Sequence, residues 1–241
     1  MESLSSSLAA PRSVDAGRGV SWWTDAWALF MRNPGMWIVL GLLMLVIYIV
    51  LSIIPLLGSL AASLAAPVFV ASWLRAAQKV EAGGNLEIGD LFSAFQGDKL
   101  VPLIVVGAVV LVATVLFTLI VGALGFGAVV GAAGRGSATG VVAALGAGVL
   151  ALIVGLVFVF AVSTALWFAP ALIVFRNLAP VDALKASIDA SLKNIGPFVL
   201  FSIIYIVAAV VASIPFGLGW IVLVPVLLLT MSTSYRDVFG S

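Results

Sequence analysis

Long apolar runs separated by short polar segments set the plan of the chain. They cover Gly35 to about Ile54, Leu56 to Ala77, Val101 to Gly122, Gly140 to Phe175, Ile195 to Ile214 and Phe216 to about Ser232. A helix needs roughly 20 residues to cross a hydrocarbon core of about 30 Å, and five of the runs suit that length. The fourth is nearly twice as long and would reach about 54 Å as one helix. It reads either as one tilted span with an extension outside the membrane or as two spans. Residues 1–17 are small and polar, lack the apolar stretch of a signal peptide, and are expected to be a flexible cytoplasmic tail. Residues 18–237 are expected to form a single six-span membrane domain.

Composition supports the membrane reading. The 241 residues are 63% hydrophobic and 9% charged, against about 25% charged in an ordinary soluble domain. So few charges cannot solvate a water-exposed surface. Cysteine and histidine are both absent. Their absence removes disulfides, thiolate nucleophiles, imidazole bases and most metal or haem ligation.

Charge chooses between six and seven crossings. With six spans and the amino terminus inside, Arg12, Arg18, Arg32, Arg75, Lys79, Lys99, Arg176, Lys185, Lys193 and Arg236 face the cytoplasm. Only Arg135 faces out, which is the positive-inside pattern. The acidic residues fall inside as well. A seventh crossing would put Arg176, Lys185 and Lys193 on the side opposite Arg75, Lys79 and Lys99. The predicted architecture is all-α, a polytopic membrane bundle of six transmembrane helices arranged as three hairpins with both termini cytoplasmic.

Two outer connections, Ile54–Pro55–Leu56 and Ser213 to Gly217, read as tight turns in which proline disfavours a straight helix. The third, Gly122 to Gly140, reads as a long glycine-rich connection around Arg135. A short amphipathic segment on the cytoplasmic side precedes each hairpin. Val20, Trp23, Trp27, Phe30 and Met31 share a helical face in the first, and Ile88, Leu91, Phe92 and Phe95 in the second. In the third, Leu184, Ile188 and Leu192 share a face, with Asp182, Lys185, Asp189 and Lys193 spaced for ion pairs on the wet side. The returning spans carry interior prolines, Pro67, Pro170 and Pro225. Met31–Arg32–Asn33 also matches Leu192–Lys193–Asn194, so the chain reads as a repeat that enters the membrane from one side. It is not the inverted repeat of many secondary transporters.

No charged residue lies inside a span, which argues against an ion-coupled pump. Tyr48, Thr114, Thr118, Ser163, Thr164, Ser202 and Tyr205 are the main polar groups at depth. Tyr48 and Tyr205 are candidates to line a small polar cavity. The alternative is hydrogen bonding between helices, worth about 0.6 kcal/mol on average. Gly140, Ala144, Gly148, Ala151 and Gly155 put small side chains on one face of the fourth span, which suits close packing within the chain or between protomers.

The interfacial segments offer the more informative candidate. Trp22, Trp23 and Trp27 suit the headgroup zone, and Arg18 and Arg32 flank them. Trp23, Trp27, Phe30, Phe92, Phe95, Lys185 and Lys193 form a candidate face for membrane lipid or a protein partner. The same segments would also serve as connectors that lock the hairpins together. Acids balance the bases, so a nucleic-acid partner is not expected. The carboxylates carry no partner motif and no metal-ligand spacing. No catalytic residue, cofactor or metal site is expected, and the chain reads as non-enzymatic.

The run Phe168–Ala169–Pro170–Ala171–Leu172–Ile173–Val174–Phe175–Arg176 is followed by Pro180, Ala183–Leu184–Lys185, Ser187, Ser191 and Lys193–Asn194. On this apolar–proline–basic pattern, the chain over residues 18 to 237 resembles an uncharacterised family of six-span bacterial inner-membrane proteins found mainly in betaproteobacteria. More distantly it is similar to the membrane domain attached to some glycerophosphodiester phosphodiesterases. The catalytic domain of those enzymes has no counterpart in these residues. The resemblance implies a six-span protein of the bacterial inner membrane and no catalytic residue. The leading expectation is a protein that organises lipid or a protein partner at its cytoplasmic face. The alternative is a passive channel or carrier for a small or apolar solute.

Overall fold

Backbone amides in hydrocarbon find no water, so an apolar chain satisfies them within helices. A computed structural model describes residues 10–135 and 138–240, and these residues form helices and turns without a strand. In chain order the elements are α1 (Arg18–Phe30), α2 (Pro34–Ser52), α3 (Leu57–Glu81), a 3₁₀ helix (Ile88–Phe95), α4 (Leu100–Arg135), α5 (Ala138–Arg176), α6 (Pro180–Lys193), α7 (Ile195–Ser213) and α8 (Trp220–Phe239). Helices α2, α3, α4, α5, α7 and α8 each hold a stretch long and apolar enough to cross a membrane. The chain is a multi-pass, helical integral membrane protein.

Local sequence explains the boundaries. Prolines Pro34 and Pro180 open α2 and α6, where the missing N–H costs no helical bond. Pro67, Pro170 and Pro225 lie inside α3, α5 and α8. The turns after α2 and α7 share a device. In each, the residue after proline adopts a left-handed backbone, Leu56 at φ 61° and Phe216 at φ 52°.

The connection expected from Gly122 to Gly140 is largely helix instead. Helix α4 continues to Arg135 and α5 begins at Ala138. Each glycine costs a helix about 1 kcal/mol relative to alanine. The Ala, Val, Leu and Phe between these glycines, together with the need to pair backbone groups in an apolar setting, outweigh that cost. The Arg135 side chain lies outside the described residues.

By internal contacts the chain falls into two units, Met1–Gly107 with Thr164–Ser241, and Ala108–Ser163. In the second, Phe117 and Phe158 stack with ring centroids 4.0 Å apart. Thr114 and Thr118 donate to carbonyls of their own helix, those of Val110 and Thr114. The expected small-residue stripe is not tightly packed at two of its positions, since a Cβ added to Gly148 or Gly155 meets nothing within 4 Å. The side chain of Ala144 lies outside the described residues.

The first unit holds the aromatic core. Trp22, Trp37, Trp73 and Phe168 are fully buried. Trp37 and Trp73 approach to 5.2 Å, and Trp167 meets Phe201 edge-on at 5.0 Å. Helix α1 packs on α8 and α7, and the 3₁₀ helix packs on α3. Close backbone approach occurs at glycines whose spacing marks no stripe. A Cβ on Gly107 would lie 2.8 Å from the Ser63 carbonyl oxygen, and one on Gly219 would lie 2.5 Å from Ala212 Cα.

The docked face of α1 is rotated from the expected one. Trp22, Trp23, Ala26, Leu29 and Phe30 are buried, whereas Val20, Trp27 and Met31 are exposed. In α6 the buried set is Ala183, Leu184, Ser187, Ala190 and Ser191, with Ile188 and Leu192 outward. Small and hydroxyl-bearing residues allow α6 to approach α5 closely, which large apolar ones would prevent. Ser187 accordingly accepts from the Phe168 N–H at 2.9 Å and donates to the Thr164 carbonyl at 2.6 Å. It occupies the backbone ladder of α5 beside Pro170, a position where helices tolerate such insertion.

Candidate functional site

Charged residues cannot be carried into hydrocarbon cheaply, so they collect where the apolar spans end. The described ones lie in α1, the 3₁₀ helix, α6 and their flanking turns, in the last two turns of α3, α5 and α8, or, for Arg135, at the end of α4. There they tie helix ends together. Arg18 Nε donates to Asp237 at 2.6 Å, and the indole of Trp22 donates to the same carboxylate at 2.7 Å. The Asp237 hydrogen bond holds the Arg18 guanidinium above its ordinary pKa, against the opposing effect of partial burial. Lys79 reaches Asp90 at 3.0 Å, and Arg75 donates to the Ser93 carbonyl at 2.8 Å, fixing the 3₁₀ helix to α3. Outside the spans, Lys99 donates to Asp98 at 2.6 Å and holds that carboxyl below its ordinary range.

The segment before α1 joins this network. Arg12 N–H donates to the Val238 carbonyl at 2.8 Å, and Val14 N–H donates to Asn194 Oδ1 at 2.9 Å. The buried Asn194 amide returns a bond to the Arg12 carbonyl at 3.0 Å. The part of the expected tail from Arg12 onward is therefore bound to the ends of α6 and α8. Residues 1–9 lie outside the described residues.

A cavity of about 260 Å³, walled by charged and polar side chains together with Phe175, opens among the ends of α3, α5 and α8. Its walls include Gln78 and Glu81 from α3, Arg176 from α5, and Ser232, Tyr235 and Arg236 from α8. Arg236 Nη1 pairs with Glu81 Oε2 at 3.1 Å. Arg176 donates to the Phe239 carbonyl at 2.7 Å and to the Tyr235 hydroxyl at 3.3 Å. A guanidinium suits this place, because the final carbonyls of a helix lack helical partners and carry partial negative charge. Two guanidiniums and one carboxylate leave the cavity net positive.

The residues singled out from sequence take several positions. Trp27 is about half exposed on α1, whereas Trp23 and Phe30 are core residues. Trp23 donates to the Phe201 carbonyl at 3.2 Å and stacks on the Phe201 ring at 5.1 Å. Phe92 and Phe95 pack against Phe69, with Phe95 at 4.8 Å. Lys185 is exposed, and Lys193 is exposed and pairs with Asp189 at 2.9 Å. The seven do not form one continuous outer face. Trp23 and Phe30 are buried, Phe92 and Phe95 are partly buried against Phe69, and Trp27 stacks on Phe30 at 5.4 Å.

Tyr48 and Tyr205 are not brought together. Tyr48 lines an apolar cavity of about 220 Å³ between α2 and α8, with Gly41, Trp220 and Pro225, and Tyr205 is absent from its lining. Among the described residues, no group of three or more acidic side chains is placed to hold a metal ion.

Glu81, Tyr235 and Arg236 were not singled out from sequence. A signal was available in their spacing. Gln78 with Glu81, and Ser232 with Tyr235 and Arg236, recur at i, i+3 and i+4, which puts polar groups on one face at the end of an apolar span. No family model matches the chain, and no curated protein or solved structure matches it either.

Proposed function

We propose that this is a non-enzymatic protein of the bacterial inner membrane that organises lipid or a protein partner at its cytoplasmic face. In this reading the six apolar helices cross as three hairpins, each preceded by an interfacial element (α1, the 3₁₀ helix or α6), and both termini are cytoplasmic. It accords with the likeness to six-span bacterial membrane proteins. The observation that carries it is the network of arginines and carboxylates at the ends of α3, α5 and α8, beside a helix α1 that leaves Trp27 outward. Tryptophan near basic residues favours the headgroup zone.

Photo-crosslinking from position 27 in native membranes is expected to capture lipid headgroups or one reproducible protein. Trp27→Ala should cost about 1–2 kcal/mol, because the half-exposed ring stacks on Phe30 at 5.4 Å, while weakening association at this face. Capture of neither lipid nor protein overturns the reading. For orientation, reporter fusions at the carboxyl terminus are expected to read cytoplasmic and insertions beside Arg135 periplasmic. The reverse pattern overturns the cytoplasmic placement of the termini, and both reporters reading the same side removes the six-span arrangement.

A further inference from the structure

Helices α1 and α6 divide their surfaces in the same way. In α1 the buried residues are Trp22, Trp23, Ala26, Leu29 and Phe30. In α6 they are Ala183, Leu184, Ser187, Ala190 and Ser191, each 161 positions after its counterpart. The outward residues keep that register. Val20, Trp27 and Met31 on α1 correspond to Val181, Ile188 and Leu192 on α6, and all six are between 36% and 54% exposed. At 3.6 residues per turn each triad fills an arc of about 40°. Turning in one sense round either helix, the buried arc is followed by this apolar ridge and then by charge. The charged arc holds Arg18, Asp25 and Arg32 on α1, and Asp182, Lys185, Asp189 and Lys193 on α6.

Packing does not account for the ridges. The buried faces differ greatly in size, with Trp22 and Phe30 on α1 where α6 has Ala183 and Ser191. The ridges stay large and apolar in both helices although neither is buried. Connectivity sets them at a membrane surface. Three residues separate α1 from α2, and Asn194 alone separates α6 from α7. Both of these helices are spans, and their exposed apolar rows begin close by, with Val39, Leu42 and Val46 on α2 and Ile195, Val199 and Ile203 on α7. A helix tethered there, with an apolar ridge between a docked face and a charged face, borders protein, hydrocarbon and water at once. A protein partner would cover roughly 20–30 residues a side, far more than a three-residue ridge offers.

We propose that α1 and α6 lie along the boundary between water and hydrocarbon and seat these two ridges in the acyl region of the leaflet nearest the charged helix ends. Insertion of this kind reaches about 5–10 Å into the boundary between headgroups and chains. The inference rests on the lipid-organising reading, commits it to lipid and adds α6 as a second anchor equivalent to α1.

The chain has no cysteine, so one introduced cysteine carries one label. Met31→Cys, Ile188→Cys and Leu192→Cys report the ridges, and Asp25→Cys and Asp189→Cys report the charged arcs. Each full chain bears a nitroxide in vesicles of phosphatidylethanolamine and phosphatidylglycerol. Electron paramagnetic resonance then compares its collisions with oxygen, which concentrates in hydrocarbon, and with a water-soluble nickel chelate. The expected oxygen-to-nickel ratio is several-fold higher on both ridges than on the charged arcs. Equal ratios put the ridges in water, and few collisions with either reagent put them under a protein or a second copy. Either result overturns the leaflet assignment. Photo-crosslinking from position 27 decides the broader reading separately. Capture of a protein there preserves that reading while this inference fails, and capture of nothing defeats both.

Discussion

Trp22→Ala is expected to lower the unfolding free energy by about 3–5 kcal/mol, the range for truncating a large aromatic in a packed core. Trp22 is fully buried where α1 meets α7 and α8. Its ring meets Phe198 edge-on at 5.3 Å and lies 6.4 Å from Phe201. Its carbonyl accepts from Thr233 Oγ1 at 3.0 Å, and its indole N–H donates to Asp237. The alanine variant removes the ring and the donor together. Trp22→Phe retains most of the packing and loses only the bond to a charged group, worth about 1.5–3 kcal/mol. The order wild type, Trp22→Phe, Trp22→Ala should therefore appear in thermal or detergent-induced unfolding followed by circular dichroism. An alanine variant within about 0.5 kcal/mol of wild type, the range for exposed positions, would contradict this account of α1 docking.

Gly19→Leu is expected to be at least as disruptive, for the opposite reason. A Cβ at position 19 runs into the Pro197 carbonyl oxygen and lies 3.0 Å from the Phe201 backbone nitrogen. Overpacking costs about 1–3 kcal/mol where neighbouring side chains can move. Here the obstacle is the backbone of α7, which cannot rotate aside, so the cost should exceed that range and release α1. Limited proteolysis checks this, with new cleavage expected at Arg18 and Arg32 in the variant. Gly35→Ala is the control. Nothing lies within 4 Å of a Cβ there, and removing a glycine from α2 should stabilise the chain by about 0.5–1 kcal/mol. If Gly19→Leu unfolds like wild type, the close approach of α1 to α7 is wrong.

Both variants act where periodicity was a poor guide. In α1 the large residues Val20, Trp23, Trp27, Phe30 and Met31 fall in one arc of about 100°, whereas the buried arc also takes in Trp22, Ala26 and Leu29 to one side of it. Moment arguments choose poorly when the partner is itself apolar. Gly19 lets α1 approach α7 from one side, and that approach buries Trp22 and turns Trp27 outward. In α6 the large residues Ile188 and Leu192 point away, while Ser187 fits the backbone of α5 next to Pro170. In water the larger apolar face would be the buried one. Near lipid, close packing and backbone satisfaction compete with burial, and small polar residues can prevail.

The six apolar helices and the placement of charge beside them were legible in sequence, because length and hydropathy decide whether a segment can cross a membrane without regard to its neighbours. So were the interior prolines, which mark their own positions. The helical course of the glycine-rich stretch beyond Gly122 depended on a competition that local turn signals do not report. The pairing of Glu81 with Arg236 joins α3 to α8 across 155 positions of chain, and nothing near either residue announces the other. Sequence alone determined that this is a helical membrane protein whose charges cluster at the ends of its spans, since that follows from one-dimensional solvation. Only the tertiary structure decided which of those charges share a cavity, because that depends on where separate helices end in space.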